Sequence, residues 1–125
     1  MTKKVKILVV DDEADLCHIV AEKISDIGNI ICDCTYSAEE AIKLLKDSEY
    51  DILLTDINMP EMNGIELIKT IKGDPEKDLF CFIMTGFSDY TEEQVREAGA
   101  LNLFYKPDDF PAMIAEIGRL AEKIK

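Results

Sequence analysis

The stretch Lys4-Val5-Lys6-Ile7-Leu8-Val9-Val10-Asp11-Asp12-Glu13 decides the fold. A β-branched apolar run ends abruptly in three acidic residues. A run apolar at nearly every position suits a strand whose two sheet faces are both covered, as in parallel sheets flanked by helices. Residues 12–27 follow with Leu16, Ile19, Val20, Ile24 and Ile27 at helical spacing, and Gly28 stops the pattern. The alternation then repeats along the chain. Residues 30–35 read as a second strand, and Ser37-Ala38-Glu39-Glu40 reads as a capping box opening a helix with Ala38, Ala41, Ile42 and Leu45 on one face. Residues 51–55 read as a third strand. Pro60 and Gly64 mark the loop before a helix over 65–72, and Asp74-Pro75 breaks the chain again.

Residues 79–85 read as the fourth strand. Thr91-Glu92-Glu93-Gln94 is a second capping box, for a short helix ending near Gly99. Residues 101–105 read as the fifth strand. The segment Pro107-Asp108-Asp109-Phe110-Pro111 leads into a last helix with Met113, Ile114, Ile117, Leu120, Ala121 and Ile124 on one stripe. The expected fold is therefore α/β, a doubly wound five-stranded parallel sheet made of five βα units. Right-handed crossovers give the doubly wound sheet, and the expected strand order is the flavodoxin-like 2-1-3-4-5.

Composition agrees and excludes several functions. The 125 residues suit one domain over 1–125. Fourteen Lys+Arg against 26 Asp+Glu leave a net charge of −12. A chain this acidic lacks the basic footprint of nucleic-acid binding and is repelled by anionic membrane surfaces. It suits a cationic partner or a bound cation. The basic start Met1-Thr2-Lys3-Lys4-Val5-Lys6 is followed by too short an apolar run for a signal peptide, so a cytoplasmic protein is expected. Cys17, Cys32, Cys34 and Cys81 have no zinc spacing and read as buried, reduced thiols.

In a doubly wound sheet the site lies beyond the carboxyl ends of the strands, at the switch point. Strand one ends in Asp11-Asp12, strand three in Asp56, strand four in Thr85 and strand five in Lys106. In the order 2-1-3-4-5, strands one and three are neighbours, so three carboxylates converge beside a hydroxyl and an amine. Converging carboxylates repel unless a cation intervenes, and oxygen ligands favour a hard ion such as Mg²⁺. Mg²⁺, a carboxylate nucleophile, a lysine and a threonine together suit phosphoryl transfer. Taken singly, each residue has a plainer reading. Asp11-Asp12-Glu13 would compensate a helix dipole, Asp56 would be a loop carboxylate, Thr85 a strand-end hydroxyl and Lys106 a solvated amine.

The set carries a resemblance. Val9-Val10-Asp11-Asp12-Glu13, Asp56-Ile57-Asn58-Met59-Pro60-Glu61-Met62-Asn63-Gly64, Thr85-Gly86 and Lys106-Pro107 resemble the motifs of CheY-like receiver domains of bacterial two-component response regulators, in order and over essentially the whole chain. Each motif is weak alone, and the set of four is specific. The resemblance implies that Asp56 is the phosphoacceptor, taking a phosphoryl group from a histidine kinase phosphohistidine. It implies Mg²⁺ bound directly by Asp12, by Asp56 and the Asn58 backbone carbonyl, and through water by Asp11. Thr85 would hydrogen-bond a phosphoryl oxygen, and Lys106 would pair with the carboxylate and then the phosphoryl group. Pro107 would follow a cis peptide bond.

By the same resemblance the partners are a sensor histidine kinase or phosphotransfer protein and a downstream effector protein or domain. A phosphorylation-dependent dimer is compatible with it. The chain would catalyse only its own phosphorylation and dephosphorylation. Its output surface would be the fourth helix, fifth strand and last helix. Receivers usually carry an aromatic residue three positions before the site lysine; here it is Leu103, so coupling is expected through apolar repacking against the fourth helix. Asn58 and Phe87 would flank the approach of water, with bulky Phe87 slowing hydrolysis. His18 is expected to be structural or exposed, not a phosphodonor.

Rival readings fit less well. A haloacid dehalogenase-type phosphohydrolase would want an acid at Asn58, and a flavodoxin-like cofactor binder would not place Asp11-Asp12-Glu13 against a phosphate. Intact Asp56, Thr85 and Lys106 argue against a pseudo-receiver. For the whole protein, a stand-alone receiver and the receiver of a longer regulator both remain.

Overall fold

The computed structural model describes residues 4–124. Met1, Thr2 and Lys3 of the basic start and Lys125 lie outside them. Five strands and five helices alternate without exception: β1 (Val5–Val10), α1 (Ala14–Ser25), β2 (Ile30–Thr35), α2 (Ala38–Asp47), β3 (Ile52–Asp56), α3 (Gly64–Lys72), β4 (Phe80–Thr85), α4 (Glu92–Ala98), β5 (Ala100–Tyr105) and α5 (Phe110–Ile124). The strands form one sheet in the order β2-β1-β3-β4-β5, and every pairing is parallel. This is the expected fold and order, and β1 and β3 meet at the switch point.

The side chains of each strand divide between two cores by the two-residue alternation of a pleated strand. Leu8, Val10, Leu53, Cys81, Ile83 and Leu103 pack under α2, α3 and α4. Ile7, Val9, Ile52, Leu54, Phe82, Met84 and Phe104 pack under α1 and α5. Both faces of the central strands are covered by helices, which is why β1, β3 and β4 are mostly apolar, with Lys6, Thr55, Asp56 and Thr85 the exceptions. Burying one such Leu or Ile stabilises by about 1.5–3 kcal/mol.

Local expectations fare unevenly. The box at Thr91 forms, with Thr91 accepting from the Gln94 N–H and Gln94 accepting in return. At Ser37 only half of the expected box forms. Ser37 accepts from the Glu40 N–H, but the Glu40 carboxylate takes the Thr35 hydroxyl at 2.8 Å instead. A complete box that spacing reasoning passed over opens α3, between Asn63 and Glu66. The first helix runs only over Ala14–Ser25, so Ile27 falls beyond it, and Ile19 is 49% exposed. The buried face of α1 is Cys17, Val20, Ala21 and Ile24, because the helix meets β2 as well as α5 and its inward stripe turns toward both.

The cysteine reading is corrected in part. Cys17 and Cys81 are buried, but Cys32 and Cys34 are half-buried, because β2 is an edge strand. All four are free thiols. Burial pushes Cys32 up to about 12 and Cys81 up to about 11, which keeps both protonated. No described helix is long and apolar enough to cross a membrane.

Gly64 is where the fold and the strand end after β3 meet. Its N–H donates to the Ile57 carbonyl at 3.0 Å. A Cβ there would overlap the Asp56 carbonyl oxygen and lie 2.9 Å from the Asp56 carbonyl carbon. Gly64→Ala is expected to destabilise by about 2–3 kcal/mol, the usual cost of forced overpacking against backbone. Chemical denaturation checks it, and an unchanged midpoint would show that the loop yields without cost.

Candidate functional site

The carboxyl ends of β1, β3, β4 and β5 deliver one residue each to a single depression. Val10 pairs with Thr55, Asp56 with Met84 and Thr85 with Tyr105, so Asp11, Asp56, Thr85 and Lys106 arrive at similar height. The Lys106 N–H donates to the Thr85 carbonyl at 2.8 Å and the Asp11 N–H to the Thr35 carbonyl at 3.1 Å, extending the sheet one step beyond its strands. The depression is lined by Asp12, Glu13, Leu16, Asp56, Asn58, Gly86, Phe87 and Lys106.

Asp11, Asp12 and Asp56 each present a carboxylate oxygen within 4.8 Å of the other two. Asp11 and Asp56 are buried while Asp12 is exposed. The Lys106 ammonium donates to Asp11 Oδ2 at 2.8 Å and to Asp56 Oδ2 at 3.1 Å. It thus serves two carboxylates, and Asp11 is the nearer. The other oxygen of Asp11 accepts the Glu13 N–H at 3.0 Å, which holds the turn into α1. Asp56 Oδ1 accepts the Asn58 N–H at 3.3 Å. The Lys106–Pro107 peptide bond is cis, as the family resemblance implies.

The three sequence-predicted carboxylates, the hydroxyl and the amine are therefore brought together. Two features carry no signal in residue spacing. One is the Asn58 side chain, which donates to the Phe87 carbonyl at 2.7 Å and to Thr85 Oγ1 at 3.2 Å. The other is the Phe87 carbonyl itself, which also takes the Thr85 hydroxyl at 2.7 Å. The Phe87 side chain is 67% exposed at the rim of the depression. Leu103 is buried against the α3–α4 side, whereas neighbouring Phe104 packs on Phe82 in the opposite core and Tyr105 is exposed. His18 sits on the surface, its Nε2 2.7 Å from the Tyr36 hydroxyl.

The donor set fits a hard divalent cation: oxygen atoms only, two of three carboxylates buried, and more negative charge than one ammonium offsets. A parallel sheet of order β2-β1-β3-β4-β5 with carboxylates, a hydroxyl and a lysine at its switch point has the architecture of a receiver domain. The sequence model of the response regulator receiver domain matches residues 7–118. The chain belongs to that family. It is 31% identical over 131 residues to chemotaxis protein CheY-3 of Vibrio cholerae, covering 99% of this chain and 97% of that protein. It is 36% identical over 109 residues to transcriptional regulatory protein ZraR of Salmonella typhimurium, covering 86% of this chain and 24% of ZraR. The chain thus spans about a quarter of ZraR's length. The receiver domain of the DNA-binding response regulator merR from Colwellia psychrerythraea shares the fold, with a TM-score of 0.87 at 23% identity over 95% of this chain and 99% of that one. Response regulator TrrA of Thermotoga maritima, solved with Mg²⁺ and beryllofluoride, gives 0.82 at 28% identity over 93% and 98%.

Burial pushes the Asp56 carboxyl above its ordinary 3.8; the Lys106 ammonium pulls the other way and Asp11 adds to the rise. Burial pulls Lys106 down, but its bonds to Asp11 and the charges of both carboxylates outweigh it and raise it above 10.5. A carboxyl raised on folding contributes stability that is complete below 3.8 and is lost as pH climbs through its raised value. The Lys106 contribution is present throughout that window and is lost only above 10.5. Without divalent ions, Asp56→Asn is therefore expected to melt above the wild type by a margin that widens as pH rises from about 4. Thermal melts across pH in chelator check this, and a margin that shrinks with pH would contradict it.

Proposed function

We propose that this receiver accepts a phosphoryl group on Asp56 and thereby switches a protein-interaction surface. The observation that carries the reading is the Lys106 ammonium bonded to Asp56 beside Asp11 and Asp12. An ionised Asp56 oxygen attacks the phosphorus of a phosphohistidine in line. The new P–O bond forms as the P–N bond breaks, and the imidazole leaves with its electron pair. Lys106 offsets charge on the transferred group, and the Thr85 hydroxyl donates to one of its oxygens. Asp11, Asp12, Asp56 and the Asn58 backbone carbonyl would hold Mg²⁺, which supplies charge neutralisation of the phosphoryl oxygens when bound.

The donor is a sensor histidine kinase or phosphotransfer protein, and the recipient of the signal is a downstream effector protein or domain. A cytoplasmic setting, where such donors present their phosphohistidines, suits the reading. Phosphorylation adds charge at a buried carboxylate and biases a pre-existing equilibrium between two arrangements. The chain's catalysis is limited to its own aspartyl phosphate.

Incubation with acetyl phosphate and Mg²⁺, followed by intact mass, tests this. Wild type should gain one phosphoryl group and Asp56→Asn none. A wild type that stays unmodified would refute it, and steady release of phosphate from a monoester would favour a hydrolase. Phe87 at the rim narrows the approach of water to the phosphoryl group. Phe87→Ala should lose its phosphoryl group a few-fold faster, an effect of about 1 kcal/mol on the barrier. Equal decay rates by intact mass would remove Phe87 from the account.

A further inference from the structure

The Thr85 hydroxyl is completely engaged. It is buried, donates its one proton to the Phe87 carbonyl at 2.7 Å, and accepts from Asn58 Nδ2 at 3.2 Å and from the Phe87 N–H at 3.4 Å. A hydroxyl has one donor and two lone pairs, so nothing is left over for a phosphoryl oxygen. To serve one, Thr85 must release the Phe87 carbonyl. Asn58 stands across that movement. Its amide holds both ends of the tight Thr85–Phe87 turn, donating to the Phe87 carbonyl at 2.7 Å as well as to the Thr85 oxygen. Its backbone N–H meanwhile rests on Asp56 Oδ1 at 3.3 Å. One residue thus touches the acceptor carboxylate through its main chain and restrains the hydroxyl through its side chain.

We infer that the Asn58 side chain is a latch, a positioning residue that holds the Thr85–Phe87 turn in its resting arrangement and so sets how much of the unphosphorylated chain is already switched. This rests on the reading of Asp56 as phosphoacceptor and Thr85 as its phosphoryl partner. When the hydroxyl leaves, Asn58 loses one of its two acceptors, and that loss favours the resting state. Deleting the amide removes this share of the bias without removing the hydroxyl or the Asn58 backbone carbonyl. The switched population should then rise about three- to tenfold, the worth of one net hydrogen bond.

Amide NMR of the whole chain tests it. The Phe87 and Ser88 peaks of wild type, without and with acetyl phosphate and Mg²⁺, define the resting and switched ends of a line. Unphosphorylated Asn58→Ala should sit displaced along that line toward the switched end. Asn58→Leu, similar in size and without a donor, should do the same, which separates the lost bond from a collapsed turn. The displacement should largely vanish in a Thr85→Val background, where there is no hydroxyl to hold. Peaks that stay at the wild-type position, move off the line, or move equally in both backgrounds would overturn the latch and leave the phosphoacceptor reading standing. A wild-type spectrum unmoved by acetyl phosphate and Mg²⁺ would overturn both.

Discussion

One ammonium between two buried carboxylates organises this molecule. Lys106 joins Asp11 and Asp56 across 95 and 50 residues of chain, at 2.8 and 3.1 Å. Water is largely excluded there, so attraction and repulsion are both stronger than at the surface. Three carboxylates against one lysine leave an excess of negative charge, and burial, with a smaller push from Asp11, drives Asp56 up despite its partner. The site is held together by a charge it only half balances. Such a donor set suits a divalent cation, whose charge the excess of carboxylates would balance.

Everything around the pair keeps it in place. The two apolar cores, one under α2, α3 and α4 and the other under α1 and α5, leave the strands no freedom to slide, because a one-residue slip would turn each core side chain to the wrong face. The strand ends therefore deliver Asp11, Asp56, Thr85 and Lys106 at fixed heights. Gly64 lets the chain beyond β3 pass against the Asp56 backbone where a side chain would collide. The β4 end is held differently, by the exchangeable hydrogen bonds of Thr85, Phe87 and Asn58. Rigid packing places three strand ends, and a few polar contacts of modest worth hold the fourth.

Much of this was legible in the residues. Alternating apolar strands and amphipathic helices dictate the doubly wound sheet, and the rule of the carboxyl ends selects Asp11, Asp12, Asp56, Thr85 and Lys106 before any distance is known. Less legible were features that depend on which of two partners wins. Glu40 could close its own capping box or take Thr35, and it took Thr35. Ile19 and Ile27 share the helical spacing of buried residues, yet α1 turns its stripe toward β2 and leaves them exposed. Phe104 and Leu103 are adjacent in sequence, and only the pleat decides that the aromatic enters the core away from α4.

By itself the sequence determined the fold class and the residue types at each strand end, because hydrophobic period is a local property summed along the chain; the order β2-β1-β3-β4-β5 was expected for such a fold, and the pairing of distant strands fixes it. The tertiary structure alone decided that Lys106 is shared between Asp11 and Asp56, that Asp12 stays exposed, and that the Asn58 amide reaches across to Thr85 and Phe87. Those are contacts between distant segments. Their choice depends on distances of a few tenths of an ångström and on which groups have lost their water, and no spacing along a chain encodes either.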